Sequence, residues 1–285
     1  MIWYYILLYA LIQGITEFLP ISSSGHLILA HEWVNGQMQN AASDESARWA
    51  QDAIIDIAVH VGTLFSVLLY FWRDFFVIAR GVILCVFGNA QLRGSEDVKQ
   101  GRNAAFYIVL ASIPVVIAGF MLHKWQPDWL RSPEVVAWTT LIFAYALWLA
   151  DRFAPHKLDV SKMTWKSALI VGLAQVLALI PGTSRSGITM TAARGLGYTR
   201  EAAAKFSLFL SVVAISGAGL LAGLDVLKSD NAQLGIDAAL AAVISFVAGY
   251  VAIAVMIKWL KNHDFTPFVL YRALLGLVLL LIVYL

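Results

Sequence analysis

Apolar residues fall in long blocks separated by short polar and charged stretches, and a membrane-crossing helix needs about 20 such residues to span a ~30 Å hydrocarbon core. Six blocks reach that length, at 53–72, 104–122, 135–150, 206–224, 238–257 and 265–285. Another apolar block, 75–87, is interrupted by Arg80 and either extends the first helix or lies along the surface.

Two further blocks are too short to cross and return. Residues 2–19 are followed by Pro20-Ile21-Ser22-Ser23-Ser24-Gly25 and a short apolar stretch to 34. Residues 165–180 are followed by Pro181-Gly182-Thr183-Ser184-Arg185-Ser186-Gly187 and a short stretch to 196. Each pair offers roughly 50 Å of helix at 1.5 Å per residue, whereas two crossings need about 60 Å and a turn. Each therefore reads as a re-entrant hairpin with a polar break inside the membrane, or else as one broken span followed by a surface helix.

Composition and charge placement sharpen this picture. The 285 residues are 60% hydrophobic and 13% charged, with a mean hydropathy of +0.75. Soluble domains carry about 25% charged residues, so the pattern predicts an all-α integral membrane protein. The net charge of +2 gives no reason to expect a nucleic-acid partner, and one cysteine, Cys85, excludes an internal disulfide. Met1–Leu19 has no Lys or Arg, so it lacks the basic start of a signal peptide and is expected to remain in the mature chain.

Basic residues collect on the cytoplasmic side of membranes. Lys162 and Lys166 precede the second hairpin and Arg194, Arg200 and Lys205 follow it, so both of its ends read as cytoplasmic, as a re-entrant hairpin allows. Threading six spans through that constraint puts 14 Lys/Arg on one side and four on the other, leaving Arg185 and Arg272 inside apolar blocks. Both termini and the mouth of the first hairpin are then expected outside the cytoplasm.

The hairpins resemble each other. An offset of 162 residues superposes Leu11, Gln13, Ser22, Ser24, Gly25 and Ala30 on Leu173, Gln175, Ser184, Ser186, Gly187 and Ala192. Three spans follow each copy, an odd number, so the second copy is inverted. The expected organisation is one membrane domain, 1–285. Its first repeat is 1–152, with a hairpin at 2–34; its second, inverted repeat is 160–285, with a hairpin at 165–197.

Polar groups at membrane depth cost roughly 2.5–3.5 kcal/mol each and so need a reason to be there. Gln13 and Glu17 lie four apart on one helix face. Glu17 offers a hard oxygen for Mg²⁺ or Ca²⁺, or a base; Gln13 offers a neutral carbonyl oxygen or an amide donor. Beyond Pro20, Ser22, Ser23, Ser24 and Gly25 form a hydroxyl-rich turn leading to His26. In the second hairpin, Thr183, Ser184, Ser186, Gly187 and Thr189 surround Arg185 at a half-helix N-terminus with no acid nearby in sequence, which suits an anion. A phosphate fits the two hairpins together better than a carboxylate, because phosphoryl transfer needs a charge clamp, a nucleophile and a proton donor.

Plainer readings compete at several positions. Ser22 and Ser186 equally suit close helix packing. Asp56 and His60, four apart on the first long span, read as supporting or structural groups. Arg272 is assigned no site role, and His31, His123, His156 and His263 look ordinary.

At these residues the chain resembles the bacitracin-resistance type undecaprenyl-diphosphate phosphatases of bacterial membranes. Gln13 to His26 is similar to that family's Glu/Gln-x-x-x-Glu element running into Pro-x-Ser-Ser-Ser/Thr-Gly-His, and Pro181 to Thr189 is similar to its Pro-Gly-x-Ser-Arg-Ser-Gly-x-Thr. The resemblance covers essentially the whole chain. It implies hydrolysis of undecaprenyl diphosphate, recycling of the lipid carrier for cell-wall synthesis, and a multi-pass protein of the bacterial inner membrane with its site facing outward. Bacitracin would act on the substrate, and a homodimer stays open.

By matching position, the resemblance implies catalytic roles for Glu17, Ser23, His26, Ser184, Arg185 and Thr189, and a divalent cation held with help from Glu17. Some relatives carry an acid where this chain has Gln13, leaving Glu17 as the single carboxylate of the motif. A transporter or lipid flippase on the same inverted-repeat plan is the rival expectation.

Overall fold

Water is absent at membrane depth, so backbone polar groups there must pair within their own segment, and the apolar blocks become helices. The computed structural model describes residues 3–23, 25–27, 45–88, 91, 94–125, 132–226 and 232–285. Among them the helices are α1 (Trp3–Thr16), α2 (Glu45–Tyr70), α3 (Trp72–Phe87), α4 (Glu96–Trp125), α5 (Pro133–Phe153), α6 (Trp165–Val176), α7 (Arg185–Gly195), α8 (Arg200–Val226), α9 (Ala232–Leu260) and α10 (Thr266–Tyr284). The described residues form no strand, and one isolated bridge joins Leu158 to Tyr198. The chain is an all-α, multi-pass membrane protein.

Four stretches are long and apolar enough to cross a bilayer: Glu96–Leu122, Pro133–Phe153, Gly235–Leu260 and Thr266–Tyr284. Ile54–Tyr70 and Trp72–Phe87 qualify together as a pair bent by 82°, so the block at 75–87 turns away from the helix before it. The remaining expected span, 206–224, is helical within α8, whose first turns carry Arg200, Glu201 and Lys205.

The second hairpin is α6, a 3-10 turn at Leu177–Leu179, an irregular break and α7. Its helices have 12 and 11 residues, about 18 and 16 Å of rise, too little for either to cross alone. The first hairpin consists of α1, with 14 residues, an irregular turn, and helical backbone at 25–27. Ser24 and residues 28–34 of the expected return lie outside the described residues.

Helices from the two halves of the chain pack on one another. α1 lies against α9 and α6 against α4, while α2 meets α8 and α5 meets α10. Both hairpin helices seat through a glycine. A Cβ at Gly14 would fall 2.6 Å from Cβ of Ala248, and one at Gly172 would fall 2.4 Å from the carbonyl oxygen of Ala111. The larger core packs Phe18, Val171, Met190, Phe206, Leu210, Ile253 and Phe265, so both hairpins rest on the long helices that surround them.

A buried ionic hub fixes the base of the second hairpin. Asp151, on α5, accepts from Arg194 Nε at 3.0 Å, from Arg200 Nε at 2.8 Å and from the backbone N–H of Phe265 at 3.1 Å. Arg194 also donates to carbonyls of Asp151, Ala154, Pro155 and Tyr198. Arg194 is thus fully buried and paired with an acid, where sequence placed a loop charge. His156, beyond the end of α5, lies 3.0 Å from Arg194 Nη2. Burial, then the charges of Arg194 and Arg200, hold its imidazole below the ordinary histidine range, consistent with a neutral acceptor.

Candidate active site

Serine occupies the left-handed region of backbone space at two places among the described residues: Ser22 at φ 70° and Ser184 at φ 68°. They are 162 residues apart, the offset that superposes the hairpins. A non-glycine residue held there costs of order 1–3 kcal/mol and marks a backbone over-determined by its surroundings. At each place the strained serine turns the chain from an irregular break into the returning helix. The next residue is Ser23 in one hairpin and Arg185 in the other.

The second turn is held from three sides. Gly182 has φ +87°, and a Cβ there would lie 2.2 Å from Thr139 Oγ1 and 2.4 Å from the carbonyl of Val136. Thr139 donates to the carbonyl of Pro181 at 2.6 Å, and Thr140 to that of Gly182 at 3.3 Å. Arg272 Nη2 donates to the carbonyls of Gly182 and Thr183 at 3.1 and 2.9 Å. Sequence reasoning gave Arg272 no site role. It is fully buried and braces this loop, and Gly187 leaves the space its guanidinium fills, since a Cβ there would meet Nη1 at 2.6 Å. An intramembrane arginine paired with no acid in its own block was the available signal.

Ser184 caps α7, its Oγ accepting from the N–H of Gly187 at 3.1 Å, so the positive end of that helix opens at the break. Ser186 Oγ donates 2.9 Å to the carbonyl of Leu19, tying the two turns together. Thr189 Oγ1 bonds to the carbonyl of Arg185 at 2.9 Å and to Ser207 Oγ at 2.7 Å, which holds α7 against α8. Thr183 is fully buried, and its hydroxyl has no partner among the described residues.

Arg185 meets Glu17 across the hairpins, with Nη2 2.6 Å from Oε1. Sequence suggested an unpaired arginine waiting for an anion; its carboxylate partner comes from the other hairpin, 168 positions away. The remaining terminal nitrogen of Arg185, Nη1, is buried and has no partner among the described residues. The other oxygen of Glu17, Oε2, accepts from Gln13 Nε2 at 2.8 Å, and the same nitrogen lies 3.0 Å from His60 Nε2. His60 therefore joins the site more closely than its sequence pattern indicated.

His26 sits one helical turn past Ser22, with Nδ1 2.7 Å from the carbonyl of Ser22. A carbonyl only accepts, so Nδ1 carries the proton and Nε2 keeps its lone pair in the neutral ring. Nε2 lies 2.6 Å from the hydroxyl of Tyr271, a partner missed in the sequence, on the residue before Arg272. Ser23 is half-buried between Ser22 and His26, and Gly25 is buried near Leu275, Leu279 and Val136.

The donor set bears on a metal. No group of three or more His, Cys, Asp or Glu side chains able to hold an ion occurs among the described residues. Glu17 and the partnerless Oε1 of Gln13 supply one carboxylate and one neutral oxygen. With both Glu17 oxygens already bonded to Arg185 and Gln13, a divalent ion here would have to be held mainly by water and substrate phosphates.

Comparison with known proteins gives a consistent answer. A family described as "Bacitracin resistance protein BacA" matches residues 6–278. The chain is 44% identical over 282 residues to an undecaprenyl-diphosphatase of Roseobacter denitrificans, covering 99% of this chain and 98% of that one. It is 43% identical to the undecaprenyl-diphosphatases of Ruegeria pomeroyi, over 99% of this chain and 98% of the relative, and of Alteromonas mediterranea, over 98% of each.

Proposed function

The chain belongs to the bacitracin resistance protein BacA family, and from that membership we infer that it is an undecaprenyl-diphosphate phosphatase. It hydrolyses undecaprenyl diphosphate to undecaprenyl phosphate and inorganic phosphate. The observation that carries the mechanism is the 2.6 Å contact between Glu17 and Arg185, which brings the polar breaks of two hairpins into one site.

Arg185 holds the diphosphate. Its free Nη1, the N-terminus of α7 and the partnerless Thr183 hydroxyl are the donors offered to phosphoryl oxygens, and Glu17 fixes the plane of the guanidinium. Ser23 attacks the terminal phosphorus as His26 Nε2 takes its proton. The bond to the bridging oxygen breaks, and undecaprenyl phosphate departs carrying a proton from His26. Water then attacks the phosphoserine by the same base and releases inorganic phosphate. Direct attack by a water activated by His26 or Glu17 is the second route. Trapping, or failing to trap, a phosphoserine at position 23 separates the two. When bound by Glu17 and Gln13 Oε1, a divalent cation would offset phosphate charge.

The prenyl chain lies in an apolar groove of about 770 Å³ between α1, α9 and α10. Leu11, Ile15 and Leu19 form one wall, four residues apart, and Val247, Val251 and Val255 the other. The groove reaches the site at Leu19, whose carbonyl receives the bond from Ser186. Val251→Trp is expected to raise KM for a long-chain prenyl diphosphate on the order of tenfold, the scale of a lost apolar subsite, and to leave a short-chain substrate unchanged. Comparing the two substrates checks this; equal effects on both would place the chain elsewhere.

The site faces the cell exterior or periplasm from the inner membrane, with both termini on that side. A C-terminal reporter found in the cytoplasm would overturn this orientation. The transporter reading differs in its product. Purified protein given a prenyl diphosphate and Mg²⁺ is expected to release phosphate, whereas movement of intact substrate with no release would favour transport.

A further inference from the structure

One nitrogen of Gln13 serves two partners. Nε2 lies 2.8 Å from Glu17 Oε2 and 3.0 Å from His60 Nε2. Both contacts are hydrogen bonds only if His60 presents a lone pair. His60 Nδ1 lies 2.7 Å from the backbone carbonyl of Asp56, which only accepts, so in the neutral ring Nδ1 carries the proton and Nε2 accepts. Gln13 is fully buried, and its Oε1 has no partner among the described residues. Glu17 only accepts and so takes one N–H of the amide nitrogen; the second N–H needs its own acceptor, and His60 Nε2 supplies it.

We propose that His60 is a positioning residue of the active site, one that locks the Gln13 amide by accepting from the same nitrogen that serves Glu17. The proposal rests on the phosphatase reading and deepens it. The lock acts on the Glu17–Arg185 pair, because Gln13 occupies the carboxylate oxygen that Arg185 does not take. His60 is itself held. Tyr9 donates to Asp56 Oδ1 at 2.8 Å, and that oxygen lies 3.7 Å from His60 Nδ1. The network runs from Tyr9 through Asp56, His60, Gln13 and Glu17 to Arg185, joining α1, α2 and α7.

The test measures kcat and KM for phosphate release from a short-chain prenyl diphosphate. It compares wild type with His60→Leu, His60→Gln, Gln13→Leu and the His60→Leu/Gln13→Leu double variant. His60→Leu is expected to lose roughly 10–100-fold in kcat/KM, as for removal of a supporting hydrogen bond. His60→Gln, whose carbonyl oxygen can accept the same bond, should retain most of the rate. The double variant should lose no more than the worse single variant, because both act through one contact.

His60→Leu at the wild-type rate, His60→Gln as impaired as His60→Leu, or losses that multiply in the double variant would each overturn the proposal. Should leucine at 60 prevent folding, His60→Ala takes its place: a loss that glutamine does not suffer supports the lock, and the wild-type rate overturns it. No release by wild type would remove the phosphatase reading and this proposal with it.

Discussion

Replacing Arg185 with alanine is expected to cut phosphate release from a prenyl diphosphate by about 10³-fold or more, the scale measured when a charged donor to a transferring phosphoryl group is removed. Phosphoryl transfer asks little covalent chemistry of a protein and depends on positioned charge. Arg185 and Arg272 both keep buried N–H groups after their internal pairing, but Arg272 is fully buried whereas the Arg185 side chain is 19% exposed. Arg185→Lys should recover little of the loss, because an ammonium cannot bond Glu17 and a phosphate with the geometry of the planar fork.

The same alanine strands Glu17, whose side chain is 9% exposed. Breaking a buried pair from one side typically costs about 3–5 kcal/mol. Adding Glu17→Gln to Arg185→Ala should therefore restore thermal stability in detergent without restoring turnover. Near-normal release by Arg185→Ala would reject its assignment as the anion clamp.

His26→Ala is expected to lower kcat by roughly 10²–10⁴-fold, the usual range for losing a positioned acid–base group, with a smaller change in KM. The ring is held so that only Nε2 can exchange a proton with substrate, since Nδ1 is committed to the carbonyl of Ser22. Tyr271 meets Nε2 at 2.6 Å and holds that nitrogen's position. Tyr271→Phe should thus cost far less than His26→Ala, because the proton acceptor survives. If His26→Ala kept its kcat and changed only KM, the histidine would be a binding group and the proton would move elsewhere.

Much of this architecture was legible before any coordinates. Block lengths marked the spans at 104–122, 135–150, 238–257 and 265–285, because hydrocarbon thickness sets a minimum run that soluble cores do not need. The short blocks around Pro20 and Pro181 marked the breaks, and the 162-residue offset carried down to the left-handed serines at 22 and 184. Chemistry did not follow that symmetry. Ser23 stands at the position equivalent to Arg185, Glu17 at that of Leu179 and His26 at that of Ile188. The two hairpins divide the carboxylate, the imidazole and the guanidinium between them.

Pairings between distant elements were hidden for a physical reason. Periodicity reports which face of one helix is apolar, but not which residue of another helix lies across from it. Glu17 with Arg185, Gln13 with His60, His26 with Tyr271 and Arg272 with the 182–183 carbonyls all join separate elements. Arg194 shows the same limit, since its partner Asp151 lies on α5.

The central claim is that two hairpins make one phosphatase site through Glu17 and Arg185. Its most direct test is the rate of phosphate release from undecaprenyl diphosphate by purified wild type, Glu17→Gln, Arg185→Lys and the double variant. The account predicts steady release by wild type, a severe loss in each single variant, and a double variant no worse than about the poorer single one, as for residues acting as a unit. Losses that multiply, or no release by wild type, would contradict it.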